Sequence, residues 1–139
     1  MTAVTSPPFV LREVCWQDLA ELAGHEVELF GSEAWSLESW WGELAGRPRR
    51  EYLVAEDAHG IAGYAGLDHG GDVSDVMTIA TLPRARRTGL GRRLLEELVS
   101  RARAAGAERL LLEVREDNMA ARGLYTQRGF ELLQTRRGY

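Results

Sequence analysis

Residues 75–106 read DVMTIATLPRARRTGLGRRLLEELVSRARAAG and contain an apolar strand, a turn rich in arginine and glycine, and a long amphipathic helix. In the helical part, apolar residues recur every three or four positions, and charged residues take the outward positions between them. A period of 3.6 is typical of a helix that packs one face against a core. Glu97 precedes Arg101 by one helical turn, and Gly106 stands where a left-handed cap would end the helix. The segment therefore predicts a contiguous strand, turn and helix.

The turn RRTGLG, residues 86–91, carries the first chemical signal. Its two glycines lie at the start of a helix, so backbone N–H groups can converge on an anion without obstruction by a Cβ atom. Arginines near the turn could add charge-assisted hydrogen bonds to a polyphosphate. These are Arg84, Arg86, Arg87, Arg92 and Arg93. The alternative is an ordinary turn with solvated arginines, because short glycine motifs often match by chance.

Composition bounds the class of protein. The chain has 139 residues, a formal net charge of −4, 45% hydrophobic residues and 27% charged residues. These values are ordinary for a globular protein, and we expect a single domain over residues 1–139. The negative charge disfavours general nucleic-acid binding. Because no apolar run reaches membrane-spanning length and no signal peptide is evident, we expect a cytoplasmic protein that does not bind membranes.

Cysteine and histidine usage predicts no disulfide and no metal site. Cys15 is the single cysteine, and its apolar neighbours indicate a small buried thiol. Three histidines, His25, His59 and His69, are scattered without metal-ligand spacing. We therefore expect these histidines on the surface or in loops.

The remaining chain predicts strands and helices around the central segment. Strands are expected at 9–14, 51–56, 61–67, 109–114 and 130–136, and helices at 18–31, 34–46 and 119–127. Ser36 is the expected N-cap of the second helix, and residues 69–72 are expected to form a flexible connection. Tryptophans 35, 40 and 41 belong either to the core or to the wall of a substrate groove.

Two titratable residues are candidates for proton transfer. Glu113 interrupts the apolar run RLLLEV, so its carboxylate should be partly desolvated, with a raised pKa, and could accept a proton. The alternative is a strand-end glutamate paired with Arg115. Tyr125, on the predicted helix at 119–127, either reaches the same cleft or packs in the core beside Leu124.

Three segments carry a resemblance to a known family. They are MTIATLPRARRTGLGRRLLEEL (77–98), LLEVREDNMAARGLYTQRGFELL (111–133) and TRRGY (135–139). They resemble RimI-type ribosomal-protein alanine N-acetyltransferases, a branch of the GCN5-related N-acetyltransferases (GNAT), in which Arg-x-x-Gly-x-Gly binds the acyl-CoA pyrophosphate. The resemblance implies an α/β (α+β) GNAT fold with a mixed, mostly antiparallel sheet flanked by helices. It also implies acetyl-CoA as cosubstrate and a protein N-terminus, that of a ribosomal protein, as acceptor.

The resemblance further implies roles for single residues. Glu113 matches the general base, and Tyr125 matches the acid that protonates the departing CoA thiolate. Trp35 would border the acceptor peptide. The matching cosubstrate-binding residues are Ile79, Ala80, Thr81, Arg87, Thr88, Gly89, Leu90, Gly91, Arg92 and Asn118. Two alternatives are a GNAT that acts on a small-molecule amine or on lysine, and a non-catalytic acyl-CoA-binding module.

The end of the sequence departs from the resemblance. RimI-type proteins continue after a segment like TRRGY into one more strand, for which this sequence has no counterpart. We therefore expect a sheet that lacks the family's final strand. The strand beginning at Phe130 is expected to be displaced, mobile, or completed by strand exchange with a neighbouring chain, because unpaired strand edges invite pairing. The sequence leaves the oligomeric state undetermined.

Overall fold

The computed structural model describes residues 9–113, Gly123 and Tyr125. Within this part of the chain one sheet has the strand order β1-β2-β3-β4-β5. The strands are β1 (Val10–Glu13), β2 (Arg50–Asp57), β3 (Gly60–Gly70), β4 (Val73–Thr81) and β5 (Arg109–Leu111). The helices are α1 (Leu19–Phe30), α2 (Leu37–Ala45) and α3 (Leu90–Ala104). The pairs from β1 to β4 are antiparallel and the β4–β5 pair is parallel, which confirms the predicted mixed α+β fold.

Helices cover both faces of the sheet. On one face α3 buries five residues of the predicted apolar stripe, and all but Leu95 pack in one cluster with residues of β2 and β3; the five are Leu90, Leu94, Leu95, Leu98 and Ala102. Ala105 was predicted to continue the stripe, but it is exposed because it lies at the C-cap, after the last residue of α3. On the other face α1 and α2 pack Leu22, Trp40 and Leu44 against Val54 and Tyr64. The sheet therefore separates a helix α3 layer from a layer formed by α1 and α2.

Several local predictions are confirmed. The Ser36 side chain accepts a hydrogen bond of 3.1 Å from the Ser39 amide, so it caps α2. Gly106 has a φ of 96°, the left-handed conformation expected after α3. Arg101 donates to Glu97 at 3.0 Å across one helical turn. Each of these features depends only on residues close in sequence.

The prediction of a flexible connection at residues 69–72 is wrong. β3 continues to Gly70, and its last residues pair in register with Ser74 and Val73. Gly71 and Asp72 form the tight turn, with Gly71 at a φ of 86°. Because hairpin turns of two residues need a positive φ, glycine permits a close connection here. The structure thus has a continuous hairpin where the sequence suggested a loop.

Two expectations for single side chains are also wrong. Cys15 is exposed, not buried, because it follows the buried Val14 in extended backbone and so points to the opposite side. His69 lies in β3 and not in a loop, with its Nε2 atom 2.8 Å from Glu51 Oε1. The described residues contain no group of side chains suited to a metal ion. Nor does that part of the chain include a helix with the length and apolarity needed to span a bilayer.

Some predictions fall beyond the described residues. The strand predicted at 109–114 is too long, because β5 ends at Leu111 and the described Leu112 and Glu113 are not in a strand; residue 114 lies outside the described residues. Gly123 and Tyr125 are helical, within the predicted helix at 119–127. Asn118, the other residues of that helix and the predicted strand at 130–136 lie outside the described residues.

Candidate functional site

The sheet opens between β4 and β5. The two strands pair only through Val73, Ser74 and Asp75, and no described strand pairs with the rest of β4 on this side. On the other side of β4 the register with β3 shifts by one residue, which leaves Met77 as an extra residue. Such a bulge bends its strand. The bulge therefore accounts for β4 turning away from β5 and leaving an exposed strand edge.

Backbone groups of Ile79 and Thr81 face this opening. The Leu82 amide donates to the Ala62 carbonyl at 2.9 Å, so Ala62 and Leu82 form a hydrogen-bonded pair next to the Gly63–Thr81 pair of β3 and β4. Because hydrogen-bonded pairs alternate along antiparallel strands, the backbone groups of Ala80 point to β3 and those of Ile79 and Thr81 point away from it. The open edge can therefore pair with an extended ligand as an added strand would.

The turn between β4 and α3 ends beside the opening. Arg87 has a φ of 64°, and Gly89, at the N-cap of α3, has a φ of 84°. The Thr88 hydroxyl donates to the Ala85 carbonyl at 2.5 Å and holds the turn closed. Helix geometry leaves the first N–H groups of α3, including those of Gly91 and Arg92, without carbonyl acceptors inside the helix. This arrangement is suited to binding an anion such as a phosphate.

A cavity of about 260 Å³ lies at the start of α3. It is lined by Phe9, Thr88, Gly89, Leu90, Arg92, Arg93 and Glu96. Three residues of the predicted turn, Thr88, Gly89 and Leu90, therefore line a concave surface.

The arginines near this turn divide into two groups. Arg84 donates to Asp57 at 2.6 Å and to the Ile61 carbonyl at 2.8 Å, and Arg93 donates to the Phe9 carbonyl at 2.8 Å. The expectation that these two arginines bind a polyphosphate is corrected, because both connect distant parts of the chain. The side chains of the other group are exposed and have no partner among the described residues. This group consists of Arg86, Arg87 and Arg92.

The two proton-transfer candidates have different surroundings. Tyr125 is only 9% exposed, and burial raises the pKa of its phenol. Glu113 lies two residues beyond β5 and is exposed, so the expected apolar embedding of its carboxylate is wrong. The neighbouring Leu111 and Leu112 are only half-buried, which leaves this end of the sheet open to solvent. Tyr125 is therefore a phenol that stays protonated at neutral pH, whereas Glu113 is exposed to solvent.

An aromatic cluster lies on the α1 and α2 face of the sheet. The Trp35 ring centroid is 5.0 Å from that of Trp40 and 6.0 Å from that of Tyr52. Trp40 is 1% exposed and belongs to the core, whereas Trp35 is half-buried at the edge of the cluster. Trp41 is 47% exposed, so the three tryptophans differ in how far each is buried.

A buried carboxylate that was not predicted from the sequence holds this cluster. Glu26 is 2% exposed and accepts hydrogen bonds from the Trp35 amide at 3.0 Å and the Tyr64 hydroxyl at 2.5 Å. Burial, together with the hydrogen bond to Glu26, raises the pKa of the Tyr64 phenol. The available signal was the position of Glu26 on the apolar face of α1, four residues after Leu22. Glu26 therefore ties the segment between α1 and α2 to the sheet.

Comparisons with known proteins agree with this geometry. N-alpha-acetyltransferase RimI of Mycobacterium tuberculosis is 38% identical over an alignment that spans the whole chain and 88% of that protein. A putative [ribosomal protein bS18]-alanine N-acetyltransferase of Bacillus subtilis is 33% identical over 93% of this chain and 85% of that protein.

A solved structure has a similar fold. The crystal structure of the ribosomal-protein-S18-alanine N-acetyltransferase from Escherichia coli superposes with a TM-score of 0.83 at 28% identity, covering 94% of this chain and 83% of that chain. The sequence pattern of the acetyltransferase (GNAT) family matches residues 15–130. The match begins just after β1 and extends beyond Tyr125, so it includes the open edge of β4 and the turn before α3. The chain therefore belongs to the acetyltransferase (GNAT) family.

Proposed function

We propose that this protein transfers the acetyl group of acetyl-CoA to the α-amine of an N-terminal alanine, and that its acceptor is a ribosomal protein of the bS18 type. The observation that carries the proposal is the open edge of β4 next to the glycine-capped start of α3. Similarity to the RimI and bS18-alanine N-acetyltransferases supports the choice of acceptor. We also infer that residues 1–139 act as one domain in the cytoplasm, where ribosomal proteins are made.

The donor side uses backbone groups for most of its contacts. Ile79 and Thr81 would hydrogen-bond the pantetheine arm, which lies along β4 as an added strand, with Ala80 between them. Residues 87–92 would bind the pyrophosphate through N–H groups and the arginine side chains. Asn118 would contact the cosubstrate near the reacting end.

The reaction is a direct transfer in a ternary complex. Glu113 takes a proton from the acceptor amine, directly or through a water, and the nitrogen attacks the thioester carbonyl carbon. A backbone N–H of β4 stabilises the oxyanion that develops there. The C–S bond then breaks, and Tyr125 donates its proton to the departing thiolate sulfur.

The chemistry of the amine favours an N-terminal acceptor. An α-amine has a pKa near 7.7 to 8, whereas that of lysine is about 10.4. Deprotonating the nucleophile at neutral pH therefore costs roughly 1 kcal/mol for an α-amine and roughly 4 to 5 kcal/mol for lysine. A single exposed carboxylate is better matched to the smaller cost.

Mass spectrometry of acetylated peptides tests the proposal. A synthetic peptide that begins Ala-Arg and contains an internal lysine is incubated with acetyl-CoA and the protein. Acetylation of the α-amine alone is the expected result. A matched peptide with a blocked N-terminus should remain unmodified. Acetylation of the lysine in both peptides, or of a small amine instead, would identify a different acceptor class.

A further inference from the structure

The negative charge of this protein is concentrated in one stretch. Residues 13–46 contain eight of the 21 acidic residues and none of the 17 lysines and arginines. The remainder of the chain therefore carries a formal charge of +4, while this stretch carries −8. Residues 13–46 include both α1 and α2, so the helix layer opposite α3 is strongly acidic.

The same stretch exposes large apolar side chains. Trp16 is 60% exposed and Trp41 is 47% exposed, and their rings stack with centroids 6.4 Å apart and an interplanar angle of 21°. Leu37, one helical turn before Trp41, is 42% exposed. Among the described residues, Val10 is the one large exposed hydrophobic outside this stretch. Exposed apolar groups that are this concentrated are typical of an interaction surface.

One acidic side chain near the two indoles is available to a partner. Glu38 lies three residues before Trp41 on α2, on the same side of the helix, and is exposed. No hydrogen bond or ion pair joins its side chain to another described residue. We call Trp16, Leu37, Glu38 and Trp41 the tryptophan patch.

The arginines that flank the acidic stretch in sequence pair with carboxylates other than Glu38, two of which, Asp18 and Glu43, belong to the stretch. Arg12 binds Asp18 and Glu56. Arg50 binds Glu43, and Arg49 binds Asp68. Within the described part of the chain, these cations neutralise carboxylates other than Glu38.

We propose that the tryptophan patch binds a basic stretch of the acceptor protein that follows its N-terminal residues. This inference rests on the proposed function, and it adds a second contact outside the reacting site. A guanidinium can stack on an exposed indole through a cation–π interaction, while Leu37 covers its aliphatic stem and Glu38 pairs with its charge. Ribosomal proteins are rich in such residues because they neutralise RNA phosphates.

The position of the patch suits a peptide that continues from the aromatic cluster. Trp35 directly precedes the N-cap of α2, and Trp41 lies in the second half of that helix. α2 is nine residues long, or roughly 13 Å, which corresponds to about four residues of extended peptide. An acceptor whose first residues pass Trp35 can therefore reach Trp41 within a few further residues.

A binding experiment without chemistry tests the patch directly. The probe is a peptide with an acetyl-blocked N-terminus and several arginines after its first few residues, and a second peptide carries glutamine at those positions. Isothermal titration calorimetry should show tighter binding of the arginine peptide, weakened by salt. Replacing both indoles (Trp16→Ser with Trp41→Ser) should weaken that binding about tenfold, which corresponds to 1.4 kcal/mol. Glu38→Gln should have a smaller effect in the same direction.

Matched substitutions outside the acidic stretch serve as controls. Val10→Ser removes an exposed apolar side chain from β1, and Glu108→Gln removes an exposed carboxylate after α3. Neither should alter binding of the arginine peptide. Equal affinity for the arginine and glutamine peptides, or an equal loss in the control variants, would overturn the proposal. A change of oligomeric state in the double tryptophan variant, measured by analytical ultracentrifugation, would instead assign the patch to a second copy of the chain.

Kinetics separate this inference from the proposed function. With an unblocked arginine peptide as substrate, KM should be much higher for the double tryptophan variant than for the wild type. With a peptide that ends before its arginines, the two proteins should differ much less in KM. If the wild-type protein acetylates neither peptide, the proposed function fails, and the calorimetric result still decides whether the patch binds basic peptides.

Discussion

Tyr125 is a helical residue whose side chain is buried. Because burial raises the pKa of the phenol, the protonated form predominates throughout the neutral range. A general acid must hold its proton until the leaving group departs, and a buried phenol meets that requirement. The side chain is thus suited to the role inferred for it from the RimI-type motif.

Tyr125→Phe should lower kcat by roughly a hundredfold to ten-thousandfold, because the proton donor is removed while the ring remains. The affinity for CoA, measured by calorimetry, should change little. In the wild type, deprotonation of this phenol should lower kcat only above a pH of about 10, which is the ordinary pKa of tyrosine. The reason is that burial raises the pKa of Tyr125 above that value. Turnover close to that of the wild type would remove Tyr125 from the mechanism.

Asp18 connects the end of β1 to the start of α1. Its carboxylate receives two hydrogen bonds of 2.8 Å from Arg12 and one of 2.8 Å from the Cys15 amide. The hydrogen bonds from Arg12 hold the pKa of Asp18 below its usual value, although burial opposes this effect. A lowered pKa contributes stability above the pKa of the unfolded chain, and this stability is lost as the pH falls through the folded value.

Asp18→Asn should therefore destabilise the protein by about 1–3 kcal/mol near neutral pH, where a charged hydrogen-bond acceptor is lost. The difference from the wild type should shrink below a pH of about 4, as the wild-type carboxyl becomes protonated. Urea denaturation at several pH values measures both effects. A difference that stays constant over this range would show that the charge of Asp18 contributes nothing.

The turn before α3 depends on a backbone conformation as well as on its arginines. Gly89 has a φ of 84° and an added Cβ atom would meet no atom within 4 Å, so a substitution there introduces backbone strain without a clash. Gly71 has nearly the same φ, 86°, and equally open surroundings in the β3–β4 turn. The two positions thus form a matched pair, one in the proposed pyrophosphate site and one remote from it.

Gly89→Ala and Gly71→Ala should each cost about 1–2 kcal/mol of stability, the usual penalty for a left-handed residue with a Cβ atom. Only Gly89→Ala should weaken the binding of CoA. Relief of the strain at this position would displace the N–H groups proposed to bind the pyrophosphate, whereas Gly71 is remote from them. Urea denaturation and calorimetry give the two quantities separately. Equal CoA affinity in the two variants would argue against this turn as the binding site.

The whole molecule presents two helix layers of different charge. The α3 layer carries exposed arginines at its start, whereas the α1 and α2 layer is acidic. The sheet between them opens at β4, so the polyanionic donor and the basic acceptor that we propose could approach from different sides. This separation would favour the proposed ternary complex, because each proposed substrate would meet the layer of opposite charge.

CoA at a hundredfold excess over its dissociation constant should stabilise the folded chain by about 2.7 kcal/mol. Its affinity should fall with rising salt concentration, since the arginines that would bind the phosphates are exposed and screened. Thermal denaturation with and without CoA, at low and high salt, measures both effects. An unchanged melting temperature with saturating CoA would contradict the proposed donor site.

Much of the fold follows from signals that are local in sequence. The stripe of α3, the Ser36 cap and the left-handed Gly106 each depend on residues within one or two helical turns, where backbone geometry fixes the spacing. The turn at residues 86–91 was predictable for the same reason. Membership of the acetyltransferase family was also evident from sequence alone, since its motifs are short contiguous segments.

Tertiary structure decided the contacts that join distant residues. Arg93 and Phe9 are 84 positions apart, and Glu26 and Tyr64 are 38 positions apart, so no periodicity links either pair. The bulge at Met77 appears only in the register between β3 and β4, and the exposure of Cys15, Trp41 and Glu113 depends on what packs around each residue. The sequence alone determined which segments can form helices, strands and the glycine-rich turn proposed to bind an anion, because these are short-range properties. The opening of the sheet and the surface around each side chain arise only when those segments pack together.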